Sequence, residues 1–262
     1  MRMDAQTRDR AAALLLQARV RNAQIAALPD DCKPRTLEDG YAVQDAVTDR
    51  VGLRVIGRKI GCTALDSQRF LGVDGPFLGR MFADTSHKSG VKLSGKSFAM
   101  RGIEGEFAFR LAHDFPPRPT PYGRDEVGEG ASLHAAIEIV CTRFTDWLTV
   151  GAASIIADNG AHGAFVEGPG TTDWARADLA KQCMTLTVDG KPIAEGRGEA
   201  VLGHPLDALV FAVNASAQRG HPLKAGDIIS TGTCVGFHPV GSAAHVVVDL
   251  GALGRVELQF TD

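Results

Sequence analysis

The sequence predicts an α+β protein in which a helical N-terminal segment, residues 1–54, precedes a β-rich domain, residues 55–262. Before residue 52, apolar side chains recur mostly at spacings of three and four, which is typical of amphipathic helices. After residue 52, short runs rich in β-branched residues alternate with glycine and proline, which favours strands joined by turns. A chain of 262 residues is long enough to bury one large core or two modest ones.

Three helices are expected. The first covers residues 4–28, and the prolines of residues 29–34 interrupt the chain after it. The second covers residues 37–51, with Thr36 as its N-cap and Gly52 at its end. The third begins at Pro205, which suits a first helical position, and Gly220 ends it.

Strands are expected in five runs with β-rich composition. These runs are Val55–Gly61, Gly105–Leu111, Ala135–Cys141, Met184–Val188 and His245–Leu250. The dipeptide Asp189-Gly190, directly after the fourth run, favours a tight hairpin turn.

Composition narrows the class of protein. A net charge of −3 gives no electrostatic reason to expect nucleic acid or an anionic membrane as partner. No apolar run approaches ~18 residues, and the polar N-terminus lacks the features of a signal peptide. The five cysteines are scattered without a C-x-x-C pair, which fits a reducing compartment. We therefore expect a cytoplasmic protein.

Three glutamates are the strongest candidates for chemistry. Glu104 and Glu106 are two apart in a predicted strand and therefore face the same side, and Glu138 lies in another apolar strand. Carboxylates held this close repel each other, and partial burial raises their pKa unless a cation compensates. Oxygen ligands suit a hard divalent ion, so we expect Mg²⁺ or Mn²⁺ here. The alternative is a solvated strand face whose glutamates pair with Arg101 and Arg110.

Other candidates lie in glycine-rich segments. Lys59, between glycines on an apolar strand, is predicted either to face a pocket or to extend into solvent. Asp158 and Asn159 begin a polar turn whose exposed amides suit a carboxylate, and His162 in the same turn is either a general base or structural. Thr233 ends another apolar strand with hydroxyl and amide donors. No nucleophile elbow, P-loop or dinucleotide fingerprint is present in the sequence.

Taken in order, these segments resemble the 2-keto-4-pentenoate hydratase and 4-oxalocrotonate decarboxylase family, within the fumarylacetoacetate hydrolase superfamily. The likeness covers almost the whole chain and rests on Tyr41-Ala-Val-Gln, Gly57-Arg-Lys-Ile-Gly-Cys-Thr, Ile103-Glu-Gly-Glu-Phe-Ala-Phe, Ile137-Glu-Ile, Ala157-Asp-Asn-Gly-Ala-His-Gly, Gly220-His-Pro-Leu-Lys-Ala-Gly-Asp and Ser230-Thr-Gly-Thr. It implies a mixed, rolled β-sheet core and a homo-oligomer.

The resemblance also implies a site and a reaction. Mg²⁺ or Mn²⁺ would be bound by Glu104, Glu106 and Glu138, and would chelate the 2-oxo and carboxylate oxygens of a small 2-oxo acid. Lys59 would add a positive charge beside the enolate or assist proton transfer. Thr233 and the turn at residues 158–159 would line the substrate site. The expected reaction is hydration of a 2-hydroxy-2,4-dienoate to a 4-hydroxy-2-oxo acid.

The chain departs from the similar hydratases at two places. Phe77 follows Pro76 where those enzymes often have an aspartate, and Ala161 with His162 replaces their serine segment. Arg80, near the first departure, is expected to hold a second carboxylate on a dicarboxylic substrate. This expectation leaves open decarboxylation of a 2-oxo-3-enedioate such as 4-oxalocrotonate. Hydrolysis of an acylpyruvate, decarboxylation of oxaloacetate and a non-catalytic 2-oxo-acid or metal-binding paralogue also remain alternatives.

Overall fold

A computed structural model describes residues 3–262 of the chain. The described helices are α1 (Ala5–Val20), α2 (Leu37–Val51), α3 (Leu65–Leu71), α4 (Arg124–Gly128), α5 (Ala152–Ala157) and α6 (Pro205–Gln218). The strands are β1 (Val55–Gly61), β2 (Phe77–Phe82), β3 (Ser86–Lys88), β4 (Val91–Ser94), β5 (Gly102–Arg110), β6 (Ser132–Val140), β7 (His162–Thr171), β8 (Cys183–Val188), β9 (Lys191–Arg197), β10 (Ile228–Thr233), β11 (His238–Pro239), β12 (His245–Asp249) and β13 (Arg255–Thr261).

The strands form two mixed sheets. The larger sheet has the order β2-β1-β10-β5-β6-β7-β3, and β11 pairs with β5 outside this path. The smaller sheet has the order β4-β13-β12-β8-β9. The long antiparallel strands β5 and β6 lie in the middle of the larger sheet, between β10 and β7. Side chains from these neighbouring strands can therefore meet on one face of the sheet.

The first helix is shorter than expected. It ends at Val20, and Asn22 has a positive φ of 47°, so the chain turns before the apolar residues near Ile25. The second helix has the predicted bounds. The side chain of Thr36 accepts from the Asp39 N–H, and Asp39 accepts in return from the Thr36 N–H, which completes a capping box. Gly52 ends this helix in the left-handed conformation, with φ of 65°.

Two buried clusters hold the fold together. The larger contains Phe107 and Ile137 of the large sheet together with Leu186 and Val248 of the small sheet. The smaller joins the N-terminal helices to α5, which follows β6 in the chain. The helical N-terminal segment is therefore attached through its own apolar contacts, and the division at residues 54 and 55 stays a prediction.

Helix α6 lies within the stretch Gly198–Gln218, which has the length and apolar composition that would allow it to cross a membrane. The helix buries Ala208, Leu209, Ala212 and Val213, and all four residues belong to the larger core cluster. Because a buried core helix has the same apolar composition, the stretch is weak support for a membrane span. The absence of a membrane partner stays a prediction.

Candidate active site

The three predicted glutamates meet on one face of the large sheet. Glu104 and Glu106 project together from β5, and Glu138 on β6 lies directly opposite Glu104 in the antiparallel register. One carboxylate oxygen from each residue lies within 4.8 Å of the other two. Glu106 and Glu138 have no exposed surface, and Glu104 is partly buried. The arrangement is a cross-strand pair extended by the i, i+2 neighbour, as the sequence predicted.

Burial makes this cluster electrostatically unfavourable without a counter-charge. Burial and the repulsion from Glu138 raise the pKa of Glu104 to about 7. Burial, followed by the charges of Glu138 and Glu104, raises the pKa of Glu106 well above its usual value. Burial acts in the same direction on Glu138, but Lys59 and His162 outweigh it and lower the pKa of that carboxyl. Glu138 is therefore the carboxylate that stays ionised most readily.

Lys59 is the cation of the cluster. Its Nζ lies 3.2 Å from Glu138 Oε2 and donates to the carbonyl of Gly160 at 3.0 Å. Burial lowers the pKa of Lys59, but the charges of the three glutamates outweigh burial, so the net shift is upward. Gly79 lies opposite on β2, where a Cβ atom would meet the lysine side chain at 2.9 Å. The pocket-facing prediction for Lys59 is thus the one that the structure shows.

His162 lies against Glu138. Its Nδ1 is 2.8 Å from Glu138 Oε1, and its ring is completely buried. Burial lowers the pKa of His162, although Glu138 opposes that shift. The ring does not line the cavity that opens beside Lys59 and Glu104. The contact places His162 where it can orient Glu138, and its role as a general base stays a prediction.

A cavity of about 310 Å³ opens beside the cluster. Its lining includes Lys59 and Glu104, which are the only lysine, arginine, aspartate, glutamate or histidine side chains among the described residues around it. Trp147 and Phe237 form part of the wall, with ring centroids 5.7 Å apart. The size suits a small molecule, and most of the wall away from the charged pair is apolar.

Thr233 lines this cavity, as predicted. Its hydroxyl belongs to a local turn, however, because Oγ1 accepts from the N–H of Gly236 at 2.9 Å and donates to the carbonyl of the same residue. Thr233 therefore contributes wall surface, and its hydroxyl is already engaged.

Arg80 does not reach the cavity. Its side chain donates to Asp45 Oδ1 at 2.5 Å and to Thr48 Oγ1 at 2.9 Å, so it joins β2 to α2. On β1 and β2, Arg58 lies opposite Arg80, one residue from Lys59. Because successive strand residues face opposite sides, both arginines point away from the side that Lys59 occupies. The expected grip on a second substrate carboxylate is not supported.

The turn at residues 158–159 is also structural. Asp158 is buried and accepts from the Arg143 N–H at 2.7 Å and from its Nε at 2.5 Å. Asn159 exchanges hydrogen bonds with the backbone of Arg80, at 2.7 and 2.8 Å. Neither side chain lines the cavity, because both are used to fix the turn. Gly160 and Ala161, the next two residues, line it instead.

Sequence reasoning missed Ser230. Its hydroxyl donates to Glu106 Oε2, and the N–H of Gly232 donates to the same oxygen at 2.9 Å. Strand β10 therefore fixes one oxygen of this glutamate. The signal for it is the Ser230-Thr-Gly-Thr motif, whose first hydroxyl lies two residues before Gly232 on the same strand.

The donor set fits a divalent metal ion. The second oxygen of Glu106, Oε1, is buried and has no hydrogen-bond partner among residues 3–262. Three carboxylates also face a single lysine, which leaves negative charge to be balanced. Carboxylate oxygens are the ligands that hard divalent cations prefer. A closed network of salt bridges would leave no buried oxygen of Glu106 unpaired, whereas a metal ion held by the glutamates would pair with Oε1.

The chain is similar to known proteins over its full length. The family model for the fumarylacetoacetate (FAA) hydrolase C-terminal domain matches residues 131–261. A 2-keto-4-pentenoate hydratase of Burkholderia vietnamiensis is 33% identical over 254 residues, with 96% of each chain covered. A 2-hydroxyhexa-2,4-dienoate hydratase of Comamonas testosteroni is 31% identical over 243 residues, with 91% of each chain covered.

A solved structure supports the same placement at the level of the fold. The 4-oxalocrotonate decarboxylase from Pseudomonas putida G7, complexed with magnesium and adipate, superimposes with a TM-score of 0.91 at 23% identity, and each chain is covered completely. This likeness confirms the predicted α+β fold with a rolled, mixed sheet. The chain belongs to the 2-keto-4-pentenoate hydratase and 4-oxalocrotonate decarboxylase family of the fumarylacetoacetate hydrolase superfamily.

Proposed function

We propose that this protein is a metal-dependent hydratase that converts a 2-hydroxy-2,4-dienoate, or its 2-oxo tautomer, into a 4-hydroxy-2-oxo acid. The observation that carries the proposal is the cluster of Glu104, Glu106, Glu138 and Lys59, of which Lys59 and Glu104 line a small, largely apolar cavity. The two hydratases that are 31–33% identical over nearly the whole chain support the same reaction class.

Glu104, Glu106 and Glu138 would hold the cation, for which we propose Mg²⁺ or Mn²⁺ because oxygen ligands suit both. When bound, such an ion supplies a Lewis acid that stabilises negative charge on the 2-oxo oxygen of the substrate. Ser230 and Gly232 restrict Glu106 to one orientation, and His162 does the same for Glu138. The site is therefore fixed by contacts beyond the glutamates themselves.

Hydration requires that the dienol gain a proton at C5 while its 2-hydroxyl group loses one, and that water then add its oxygen at C4 and a proton at C3. Lys59 stays protonated at neutral pH because the carboxylates raise the pKa of its ammonium group. It therefore serves as the fixed positive charge next to the developing enolate. Preorganised charge of this kind is often the largest contribution to catalysis.

The cavity favours a substrate with an uncharged distal end. Apart from Lys59, no lysine or arginine lines it among the described residues, and Arg80 is paired with Asp45 elsewhere. A distal carboxylate would lose water there without gaining a cation, which costs free energy. Trp147 and Phe237 instead offer contact area to an apolar tail. A monocarboxylic dienoate thus fits better than the 2-oxo-3-enedioate of the decarboxylation alternative.

The test compares two substrates with purified protein and either Mg²⁺ or Mn²⁺. Hydration of 2-hydroxypenta-2,4-dienoate should remove its ultraviolet absorbance, and 4-oxalocrotonate should release little CO₂. Glu106→Gln should abolish turnover and metal binding, whereas Glu195→Gln, an exposed site on β9, should behave as the wild type. Release of CO₂ without hydrated product would instead identify the decarboxylase, and turnover of neither substrate would support a non-catalytic binding protein.

We also infer a cytoplasmic homo-oligomer. All five cysteines are free, which agrees with a reducing compartment. Exposed apolar side chains on α3, Leu65 and Phe70, supply a surface suited to association with a second copy. Light scattering coupled to size exclusion measures the number of subunits, and a monomer at micromolar concentration would contradict this inference.

A further inference from the structure

A second cavity, of about 230 Å³, lies where the end of α1 meets the start of β7. Its polar lining consists of Arg19, Asn22, Thr85, His87, Ser97 and Arg143. No aspartate or glutamate belongs to the described lining. The wall is therefore rich in hydrogen-bond donors and carries positive charge. We refer to this cavity as the basic pocket.

Arg19 supplies the excess charge. Its guanidinium donates to the carbonyl of His162 at 3.3 Å, and no carboxylate of residues 3–262 lies within 4.0 Å of it. Most of its five N–H donors therefore remain available. Arginine is the side chain best suited to bind two oxygens of one anion at the same time.

Arg143 is already neutralised by comparison. Asp158 accepts from both its Nε and its backbone N–H, and its Nη2 donates to the same His162 carbonyl at 3.3 Å. Two guanidinium groups thus converge on one carbonyl oxygen, while the carboxylate of Asp158 pairs with Arg143 alone. One positive charge in the basic pocket is left without a partner.

This unpaired charge persists at neutral pH. Burial and the nearby charge of Arg143 lower the pKa of Arg19 only to about 10. Arg19 is partly buried, and a partly desolvated cation is stabilised by an anion or by hydrogen-bond acceptors. An oxyanion that accepts two parallel hydrogen bonds from a guanidinium forms a strong, charge-assisted contact with it.

We propose that the basic pocket is a binding site for a small oxyanion, a carboxylate or a phosphate, with Arg19 as its principal ligand. Ser97 and Thr85 add hydroxyl groups at the wall, and His87 adds a ring nitrogen. The site is distinct from the cavity beside the glutamates, since the two cavities share no lining residue. The proposal depends on charge and geometry at this pocket, and not on the hydratase reaction.

The experiment is calorimetric titration of the full-length protein with inorganic phosphate and, separately, with acetate and succinate, at constant ionic strength. We expect saturable binding of at least one of these anions. Phosphate alone would indicate a tetrahedral ligand, and the carboxylates alone an organic acid. Saturable binding of neither class would overturn the proposal.

Matched variants locate the site. Arg19→Gln should weaken anion binding at least tenfold, whereas Arg21→Gln, an exposed arginine two residues away that does not line the pocket, should leave it unchanged. Ala99→Glu places a carboxylate on an exposed wall residue, so it should weaken binding even if Arg19→Gln fails to fold. Equal affinity in the wild type, Arg19→Gln and Ala99→Glu would show that the anion binds elsewhere, and would overturn the assignment.

Discussion

The glutamate cluster and the basic pocket each bring like charges together, negative charges in the cluster and positive charges in the pocket. In the cluster, three carboxylates face one lysine, whereas in the pocket Asp158 pairs with Arg143 and no carboxylate of the described residues lies within 4.0 Å of Arg19. Arg19 has no carboxylate partner in the described residues, and burial with mutual repulsion raises the pKa of both Glu104 and Glu106. A counter-ion of the opposite sign would therefore stabilise the ionised side chains of each region.

One residue touches both regions. The ring of His162 contacts Glu138, and its backbone carbonyl accepts from Arg19 and Arg143. The difference between the regions lies in how their charges are fixed. The glutamates are held by neighbouring strands of one sheet, whereas the arginines come from α1 and from the residues after β6. The first arrangement is local to the sheet, and the second depends on tertiary packing.

The largest effect on stability should follow from removing the carboxylate of Asp158, which pairs with Arg143 at the basic pocket. Asp158→Ala leaves Arg143 buried without its partner and next to Arg19, so we expect the free energy of unfolding to fall by about 3–5 kcal/mol. Denaturant titration measures this loss. The control Asp66→Ala breaks an exposed pair with Arg69 and should cost less than about 1 kcal/mol. Equal losses of unfolding free energy would contradict the larger contribution expected of the buried pair.

The next largest effect should come from removing the positive charge of Lys59 from the glutamate cluster. Lys59→Met takes away the charge beside the enolate, and we expect kcat for 2-hydroxypenta-2,4-dienoate to fall by about 10²–10³-fold. Lys181→Met, which alters an exposed pair with Asp178, is the matched control. A lowered melting temperature with kcat unchanged would assign Lys59 a structural role only.

Cutting the contact between the two regions should have a smaller effect. His162→Ala removes the ring that orients Glu138, and we expect a 10–100-fold loss of Mn²⁺ affinity, which is typical for residues that support a metal ligand. Titration followed by the electron paramagnetic resonance of Mn²⁺ reports the affinity directly. Unchanged affinity in a folded variant would remove His162 from the positioning role.

The affinity of the glutamate cluster for a metal ion should also depend on pH. The pKa of Glu104 is raised to about 7, so below that pH this carboxyl carries a proton that a metal ion must displace. Affinity for Mg²⁺ should therefore fall as the pH drops below about 7, by about tenfold per pH unit for each proton released. Calorimetry in buffers of different ionisation enthalpy counts those protons. Affinity independent of pH between 5 and 7 would contradict the raised pKa.

The local sequence pattern was sufficient to predict those features of the structure that depend on residues close together in the chain. The bounds of α2 follow from Thr36 and Gly52, and the shared face of Glu104 and Glu106 follows from strand alternation. The same alternation indicates that Arg80 faces away from Lys59, but only once Arg58 is known to lie opposite it. That pairing joins β1 to β2 across α3, and residue spacing does not predict it.

The sequence by itself determined the α+β class, the second helix and the three glutamates, because helix caps and strand periodicity act over a few residues. Only the tertiary structure decided which side chains face the cavity and which brace the turn at residues 158–162. It also decided that Arg19 meets Arg143 at the carbonyl of His162. The physical reason is that burial and long-range pairing fix the charge environment of a side chain, and these depend on segments more than a hundred residues apart.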